Sequence, residues 1–100
     1  MEPAILCPEA DLADGSLRHF LVGEKPLAVC RVGGVAHAFD GKCPHRGALL
    51  GQGALDGTVL TCPWHGWQFN AESGTGLTNP HASLKKFPIR VQDGQLVIEA

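Results

Sequence analysis

Residues 43–69 read CPHRGALLGQGALDGTVLTCPWHGWQF and hold two short motifs in which a cysteine precedes a histidine. Cys43 comes two positions before His45, Cys62 comes three positions before His65, and sixteen residues separate the motifs. Thiolate and imidazole are good protein ligands for zinc and iron, and each motif places one of each on a short loop. The spacing predicts a metal centre held by both loops, which we call the first knuckle (43–48) and the second knuckle (62–67).

The mixed composition of each knuckle bears on which metal is bound. Zinc fingers usually carry two cysteines on one knuckle and two histidines on the other, and so hold a single ion. Here the two cysteines can converge on one metal while the two histidines converge on a second. A [2Fe–2S] cluster in which histidines replace two cysteines on one iron needs such a ligand set. A zinc-stabilised interaction module remains the alternative, and iron, acid-labile sulfide and zinc contents would separate the two.

The sequences CPHRGA and CPWHGWQF resemble the cluster loops of the Rieske iron–sulfur family, specifically its ferredoxins of bacterial ring-hydroxylating oxygenase systems. The loop 74–80 and the closing LKKFPIRVQDGQLVIEA also resemble that family, so the resemblance covers nearly the whole chain. It implies a Rieske [2Fe–2S] cluster whose buried iron is bound by Cys43 and Cys62. The same resemblance assigns His45 and His65 to the outer iron near solvent.

The implied fold is all-β: a basal antiparallel β barrel or sandwich into which a small cluster-binding subdomain is inserted. We expect a single Rieske domain over residues 1–100, with the insertion at about 41–82 and the basal domain formed by 1–40 and 83–100. Composition agrees, because 13 glycines and 7 prolines in 100 residues indicate many turns and little long helix.

Short strands are predicted on both sides of the insertion. The segments AILC, SLRHFLV and PLAVCRV are apolar enough for strands, and Gly33–Gly34 marks a hairpin turn before VAHAF. After the insertion, apolar residues mostly alternate across the turn Asp93–Gly94. Pro88 removes a donor and pushes its strand toward an edge or a bulge.

Several residues beside the ligands are candidates for shaping the centre or its docking surface. Trp64 and Trp67 flank the second histidine. They either form an apolar cover and docking surface, or are ordinary packing residues. Arg46 directly follows the predicted ligand His45, and its charge either steers an electron-transfer partner or is simply solvated. Pro80 resembles the family's proline loop over the cluster, and the remaining candidates are the knuckle glycines Gly47 and Gly66.

Four positions bear on the redox potential through the resemblance. High-potential family members carry a disulfide between the two loops and Ser and Tyr hydroxyls that bond to cluster sulfurs. This chain has Ala48 and Trp64 where those cysteines stand, Trp67 for the serine and Phe69 for the tyrosine. We therefore expect a potential at the low end of the Rieske range, about −150 mV.

Composition and charge exclude several functions. A net charge of −2 gives no basic footprint for nucleic acid, and no run approaches the roughly 20 apolar residues of a membrane span. We expect a cytoplasmic protein that binds neither. Cys7 and Cys30 are expected to be small buried thiols, and His19 and His37 to be structural.

The expected function is electron transfer rather than catalysis, since no nucleotide-binding glycine loop and no nucleophile with a base is evident. The resemblance implies transient docking of a monomer to a flavin-dependent NAD(P)H reductase and to the terminal oxygenase of an aromatic-ring-hydroxylating dioxygenase. A second interpretation is the small subunit of an assimilatory NADH nitrite reductase. The aromatic substrate is chosen by the oxygenase and is not encoded here.

Overall fold

The computed structural model describes residues 3–43, 47–64, 66–79 and 82–99, and in these the regular secondary structure is almost entirely β-strand. The strands, in chain order, are β1 (Pro3–Pro8), β2 (Leu17–Val22), β3 (Lys25–Val32), β4 (Val35–Asp40), β5 (Ala54–Asp56), β6 (Val59–Thr61), β7 (Gln68–Asn70), β8 (Lys86–Phe87), β9 (Ile89–Gln92) and β10 (Gln95–Glu99). Single 3₁₀ turns lie at Glu9–Asp11 and Leu50–Gln52. The all-β prediction is confirmed, and no described helix is long and apolar enough to cross a membrane.

The strands form three antiparallel sheets. An outer sheet has the order β1-β10-β9, a central sheet the order β2-β3-β4-β8, and a third sheet, which we call the loop sheet, the order β5-β6-β7. The outer and central sheets come from the chain before residue 41 and after residue 82, whereas the loop sheet lies between the two knuckles and just beyond the second.

The central sheet is covered on both faces, because successive side chains of β3 and β4 alternate between two cores. Leu27, Val29 and Ala38 pack with Leu96 and Ile98 of the outer sheet. On the opposite face, buried residues of the central sheet pack with both knuckle cysteines and with the loop sheet: Ala28, Cys30, Phe39, Cys43, Ala48, Leu50, Leu60, Cys62, Phe69, Ala71 and Leu84. The knuckles are thus anchored directly on the central sheet.

Both predicted glycine turns form tight hairpins. Asp93 and Gly94 have φ angles of 53° and 75°, the left-handed pair that a two-residue turn between right-twisted strands requires. Gln92 pairs with Gln95 across this turn. The Gly33–Gly34 turn joins β3 and β4 in the same way, with φ angles of 58° and 82°.

Pro88 divides the strand that was predicted to run through it. β8 ends at Phe87 as the edge of the central sheet, and β9 begins at Ile89 as an edge of the outer sheet. A residue without an N–H suits this position, since the chain leaves one ladder and enters another there. The Pro88 carbonyl still accepts a hydrogen bond from Glu99, at 3.1 Å.

Candidate metal centre

The two knuckles have the same backbone arrangement. In the first, the Cys43 N–H donates to the Ala48 carbonyl at 2.8 Å, and in the second the Cys62 N–H donates to the Trp67 carbonyl at 2.7 Å. Each hydrogen bond therefore spans five residues, although one motif is Cys-x-His and the other Cys-x-x-His. The residue before each acceptor is a glycine in the left-handed region, Gly47 at φ 72° and Gly66 at φ 70°. The glycines predicted beside the site thus serve the turn geometry.

The two ligand cysteines meet inside the core. Cys43 is 2% exposed and Cys62 is 3% exposed, and both belong to one buried cluster. Burial raises the pKa of the Cys62 thiol, a hydrogen bond from the Trp64 backbone lowers it, and the adjacent Cys43 thiol raises it again. Two thiols in contact where the two loops meet the core are a suitable donor pair for one metal, which would bind them as thiolates.

The histidines of both motifs, His45 and His65, lie outside the described residues, as do Arg46 and Pro80. Their assignments stay predictions from the sequence.

The two tryptophans of the second knuckle differ in environment. Trp67 is partly buried and packs against the core that holds the cysteines. Trp64 is 53% exposed, and Leu77 in the following loop is 49% exposed. Trp67 is therefore a packing residue, whereas the exposed side chain of Trp64 is available for contact with a partner.

The loop that follows β7 is hydrogen-bonded to the first residue of that strand, directly after the second knuckle. The Leu77 N–H donates to the Gln68 carbonyl at 2.8 Å, and the Gln68 N–H donates to the Thr78 hydroxyl at 3.2 Å. The Ala82 N–H donates to the Asn79 carbonyl at 3.0 Å. A Cβ at Gly76 would collide with the carbonyls of Asn79 and Ala82, so only glycine fits this bend. The sequence already indicated a special loop here, but not this contact.

The cysteines outside the knuckles are also free thiols. Cys30 is fully buried as predicted, and its Sγ donates to the Ala71 carbonyl at 3.5 Å. Burial raises the pKa of Cys30 to about 11, so this thiol stays protonated at neutral pH. Cys7 is only half-buried, and it lies at a β-bulge where the register between β1 and β10 shifts.

His19 and His37 each bury a ring nitrogen that has no hydrogen-bond partner among the described residues. The His37 ring stacks on Phe39 with centroids 6.5 Å apart. Burial, helped by the charge of Lys86 and opposed by Glu72, lowers the pKa of His37 below its ordinary value. In the folded protein His37 is therefore neutral at neutral pH.

The lowered pKa of His37 predicts that the folded protein loses stability in mild acid. Below about pH 6.5 the unfolded chain protonates this histidine, whereas the folded chain resists protonation, so acidification favours unfolding. We expect the melting temperature to fall less between pH 7 and pH 5 in His37→Phe than in the wild type. Thermal melts at several pH values check this, and parallel curves for the two proteins would contradict it.

Comparison with known proteins agrees with this geometry. Residues 2–88 match the Rieske [2Fe-2S] domain. The ferredoxin component of an alkene monooxygenase system from Xanthobacter autotrophicus is 40% identical over 93% of this chain and 77% of its own length. Ferredoxin CarAc of Metapseudomonas resinovorans is 37% identical over 93% of this chain and 89% of its own.

A solved structure shows the same fold. It is a complex of reduced oxygenase and oxidized ferredoxin in carbazole 1,9a-dioxygenase, and its matching chain is 36% identical with a TM-score of 0.87 over 96% of this chain and 91% of that one. Domains of this family hold a [2Fe–2S] cluster with two cysteine and two histidine ligands, which fits the buried thiol pair found here. The chain belongs to the Rieske [2Fe-2S] domain family.

Proposed function

We propose that this protein is a Rieske ferredoxin that passes single electrons from an NAD(P)H-dependent flavin reductase to the terminal oxygenase of an aromatic-ring-hydroxylating dioxygenase. The observation that carries the proposal is the contact between two buried thiols supplied by two backbone-matched knuckles. A bound [2Fe–2S] cluster would supply a centre that accepts and releases one electron. The similarity to ferredoxin components of oxygenase systems supports the choice of partners.

In this proposal Cys43 and Cys62 bind the buried iron, and His45 and His65 bind the outer iron near solvent. The chain holds the cysteines rigidly, because each backbone N–H is already engaged with its own knuckle. The thiols must lose their protons when metal binds, and a raised pKa at Cys62 means that assembly is favoured by higher pH.

We also propose that residues 41–82 form the cluster-binding subdomain, inserted in a basal domain of residues 1–40 and 83–100. The division is supported by sheet membership, since β5, β6 and β7 pair only with one another among the named strands. Buried residues of both parts pack in one cluster beneath the knuckles.

An electron carrier needs no substrate pocket, so the proposal gives no role to the cavity found on the described surface. A shallow cavity of about 430 Å³ lies on the outer sheet, on the face opposite its core. No nucleophile paired with a base lines it. Its lining residues are Pro3, Ile5, Arg90, Gln92, Asp93, Gln95 and Val97.

Partner docking is proposed at the knuckle surface. Exposed Trp64 and Leu77 offer apolar contact area without a deep groove, which suits brief association between electron-transfer proteins. Because the reductase draws on NAD(P)H, we place the protein in the cytoplasm. We propose that it works as a monomer, leaving this surface free for each partner in turn.

Reconstitution tests the function. Purified protein is mixed with candidate flavin reductases and terminal oxygenases, NADH is supplied, and hydroxylated product should form only when the protein is present. Colour, iron and acid-labile sulfide are measured on the same sample. Failure with every oxygenase combined with activity toward a nitrite reductase large subunit would overturn the proposal, as would a colourless zinc protein.

The midpoint potential provides an independent prediction. Ala48 and Phe69 are buried beside the cysteines and offer no hydroxyl or thiol at the positions where high-potential relatives carry them. Fewer hydrogen bonds to the sulfurs leave the oxidised state favoured. We expect a midpoint of about −150 mV by redox titration, and a value above zero would contradict this prediction.

A further inference from the structure

The four lysines of this chain lie at one end of the central sheet. Lys25 begins β3, Lys42 follows the end of β4, and Lys85 and Lys86 lie at the start of β8. Backbone hydrogen bonds draw these segments together: Gly41 donates to the Pro26 carbonyl at 2.9 Å, and Asp40 donates to the Lys85 carbonyl at 2.8 Å. Residues far apart in sequence thus form one basic surface, which we call the lysine end (Lys25, Lys42, Lys85 and Lys86).

The lysine end presents its charge to solvent. All four lysines are exposed, and the ammonium groups of Lys25 and Lys85 lie 4.8 and 5.3 Å from the centroid of the Phe87 ring. The Lys86 ammonium donates to the Glu72 backbone carbonyl at 2.7 Å and lies 6.0 Å from the Phe39 ring centroid. Among the described residues both ion pairs use arginine, so no lysine charge is neutralised by direct contact with a carboxylate.

Nearby carboxylates only partly offset this charge. Glu24 precedes Lys25 in the chain, and the Asp40 carboxylate accepts the Lys42 backbone N–H at 3.0 Å. Glu72 lies beside Lys86. The lysines outnumber these acids, although the whole chain carries a net charge of −2.

The opposite end of the central sheet is acidic. Glu9 lies 3.8 Å from Arg31 near the end of β3, and Asp14 accepts the Gly34 N–H at 3.0 Å. The Glu9 N–H donates to the Gly94 carbonyl at 2.9 Å, which brings the neighbouring Asp93 to the same end. Arg31 lies six positions after Lys25 in the extended strand β3, a distance of about 20 Å. Charge is therefore separated along β3.

This charge axis has a fixed relation to the metal centre. Lys42 directly precedes the ligand Cys43, and the Leu50 N–H donates to the Gly41 carbonyl at 2.8 Å, which holds the base of the first knuckle against the lysine end. A protein approaching the first knuckle from that side meets the ammonium groups before it meets any of the acidic end. Complementary charge of this kind accelerates and orients encounters more than it tightens binding.

We propose that the lysine end docks the terminal oxygenase, which meets it with a carboxylate-rich surface. The inference rests on the proposed function and adds the side from which the partner approaches. The oxygenase is preferred to the reductase because a similar ferredoxin has been solved in complex with its oxygenase. The acidic end then faces away from the partner. In the reversed orientation its negative charge would repel the carboxylate-rich surface.

The test compares two double variants with the same change in net charge. Lys25→Glu with Lys85→Glu reverses the lysine end, whereas Arg18→Glu with Arg90→Glu makes the same change elsewhere. Arg18 also lies over an aromatic ring, 4.9 Å from the Phe20 centroid, and Arg90 is also exposed, although it forms an ion pair with Glu99 at 3.5 Å. Each reduced holoprotein is mixed in a stopped-flow instrument with the oxygenase found by reconstitution, at about 20 mM and about 500 mM salt.

We expect the wild-type bimolecular rate to fall as salt rises. At low salt the lysine variant should be about tenfold slower than the wild type, the arginine variant should be within about twofold, and the differences should shrink at high salt. Equal losses in the two variants would reduce the effect to net charge and overturn the proposal. So would a loss confined to electron transfer from the reductase.

The lysine variant and the wild type test different things. If the wild type and the lysine variant reduce the oxygenase at the same rate at low salt, only the docking proposal is contradicted. If the wild type reduces no oxygenase at any salt concentration, the proposed function falls and the docking assignment falls with it. Visible spectra and iron content, measured before mixing, show that each variant carries the same cluster.

Discussion

Cys62→Ser is expected to give a colourless protein with less than about one tenth of the wild-type iron and sulfide. Cys62 is buried, its N–H is held by Trp67, and its thiol contacts that of Cys43, so no other sulfur can take its place without moving the second knuckle. A serine hydroxyl is a far poorer ligand for iron than a thiolate. Iron and sulfide assays and the visible spectrum measure the result.

The same change should also lower stability. Much of the free energy of metal binding at such a site is free energy of folding, because the ligands are brought together only in the folded chain. A loss of about 3 kcal/mol would lower the melting temperature by roughly 10–25 °C in a domain of this size. The purified variant should therefore melt well below the wild type.

Cys30→Ser is the matched control. Cys30 lies in the same buried cluster as Cys62, but its thiol faces the Ala71 carbonyl and its pKa of about 11 keeps it protonated. A serine hydroxyl can donate to the same carbonyl, so this variant should retain colour and iron. An iron-loaded Cys62→Ser, or a colourless Cys30→Ser, would show that the ligands have been assigned wrongly.

The sequence was sufficient for features that depend on neighbouring residues. The Asp93–Gly94 turn was predictable because few other residue pairs adopt two consecutive positive φ angles. The knuckle cysteines were predictable because metal ligands must share short loops. β3 also follows from its continuous apolar run, which indicates a strand covered on both faces.

Features that depend on distant segments were not predictable in this way. β5 and β6 were not predicted from the sequence, although the two-residue turn Gly57–Thr58 lies between them. The lysine end is formed by three separate segments whose proximity becomes visible only once the central sheet is assembled. The half-buried position of Cys7 depends on a bulge that has no local signature.

Gly51→Ala is expected to be strongly damaging, because Gly51 lies between the first knuckle and the central sheet. Gly51 lies in the 3₁₀ turn after the first knuckle and packs against β2. A Cβ there would lie 2.5 Å from His19 Cα, 2.7 Å from His19 Cβ and 2.9 Å from His19 N. These atoms belong to the central sheet or are fixed to it, so the turn must move away and take the first knuckle with it.

The expected loss is about 3 kcal/mol, at the upper end for overpacking, because backbone atoms cannot shift as a side chain would. That corresponds to a fall in melting temperature of roughly 10–25 °C, together with reduced iron content. Gly23→Ala is the control: nothing lies within 4 Å of its Cβ position, and only its φ of 63° opposes the change. That strain costs about 1 kcal/mol and leaves the metal centre untouched.

A second substitution separates backbone contact from crowding by the histidine ring. His19→Ala removes the ring but keeps the three atoms that a Cβ at residue 51 would meet. The Gly51→Ala defect should therefore persist in the His19→Ala background, in both melting temperature and iron content. Full recovery would mean that the ring alone blocks the turn. Persistence would show that the first knuckle is held by backbone packed on backbone, a contact that only glycine permits.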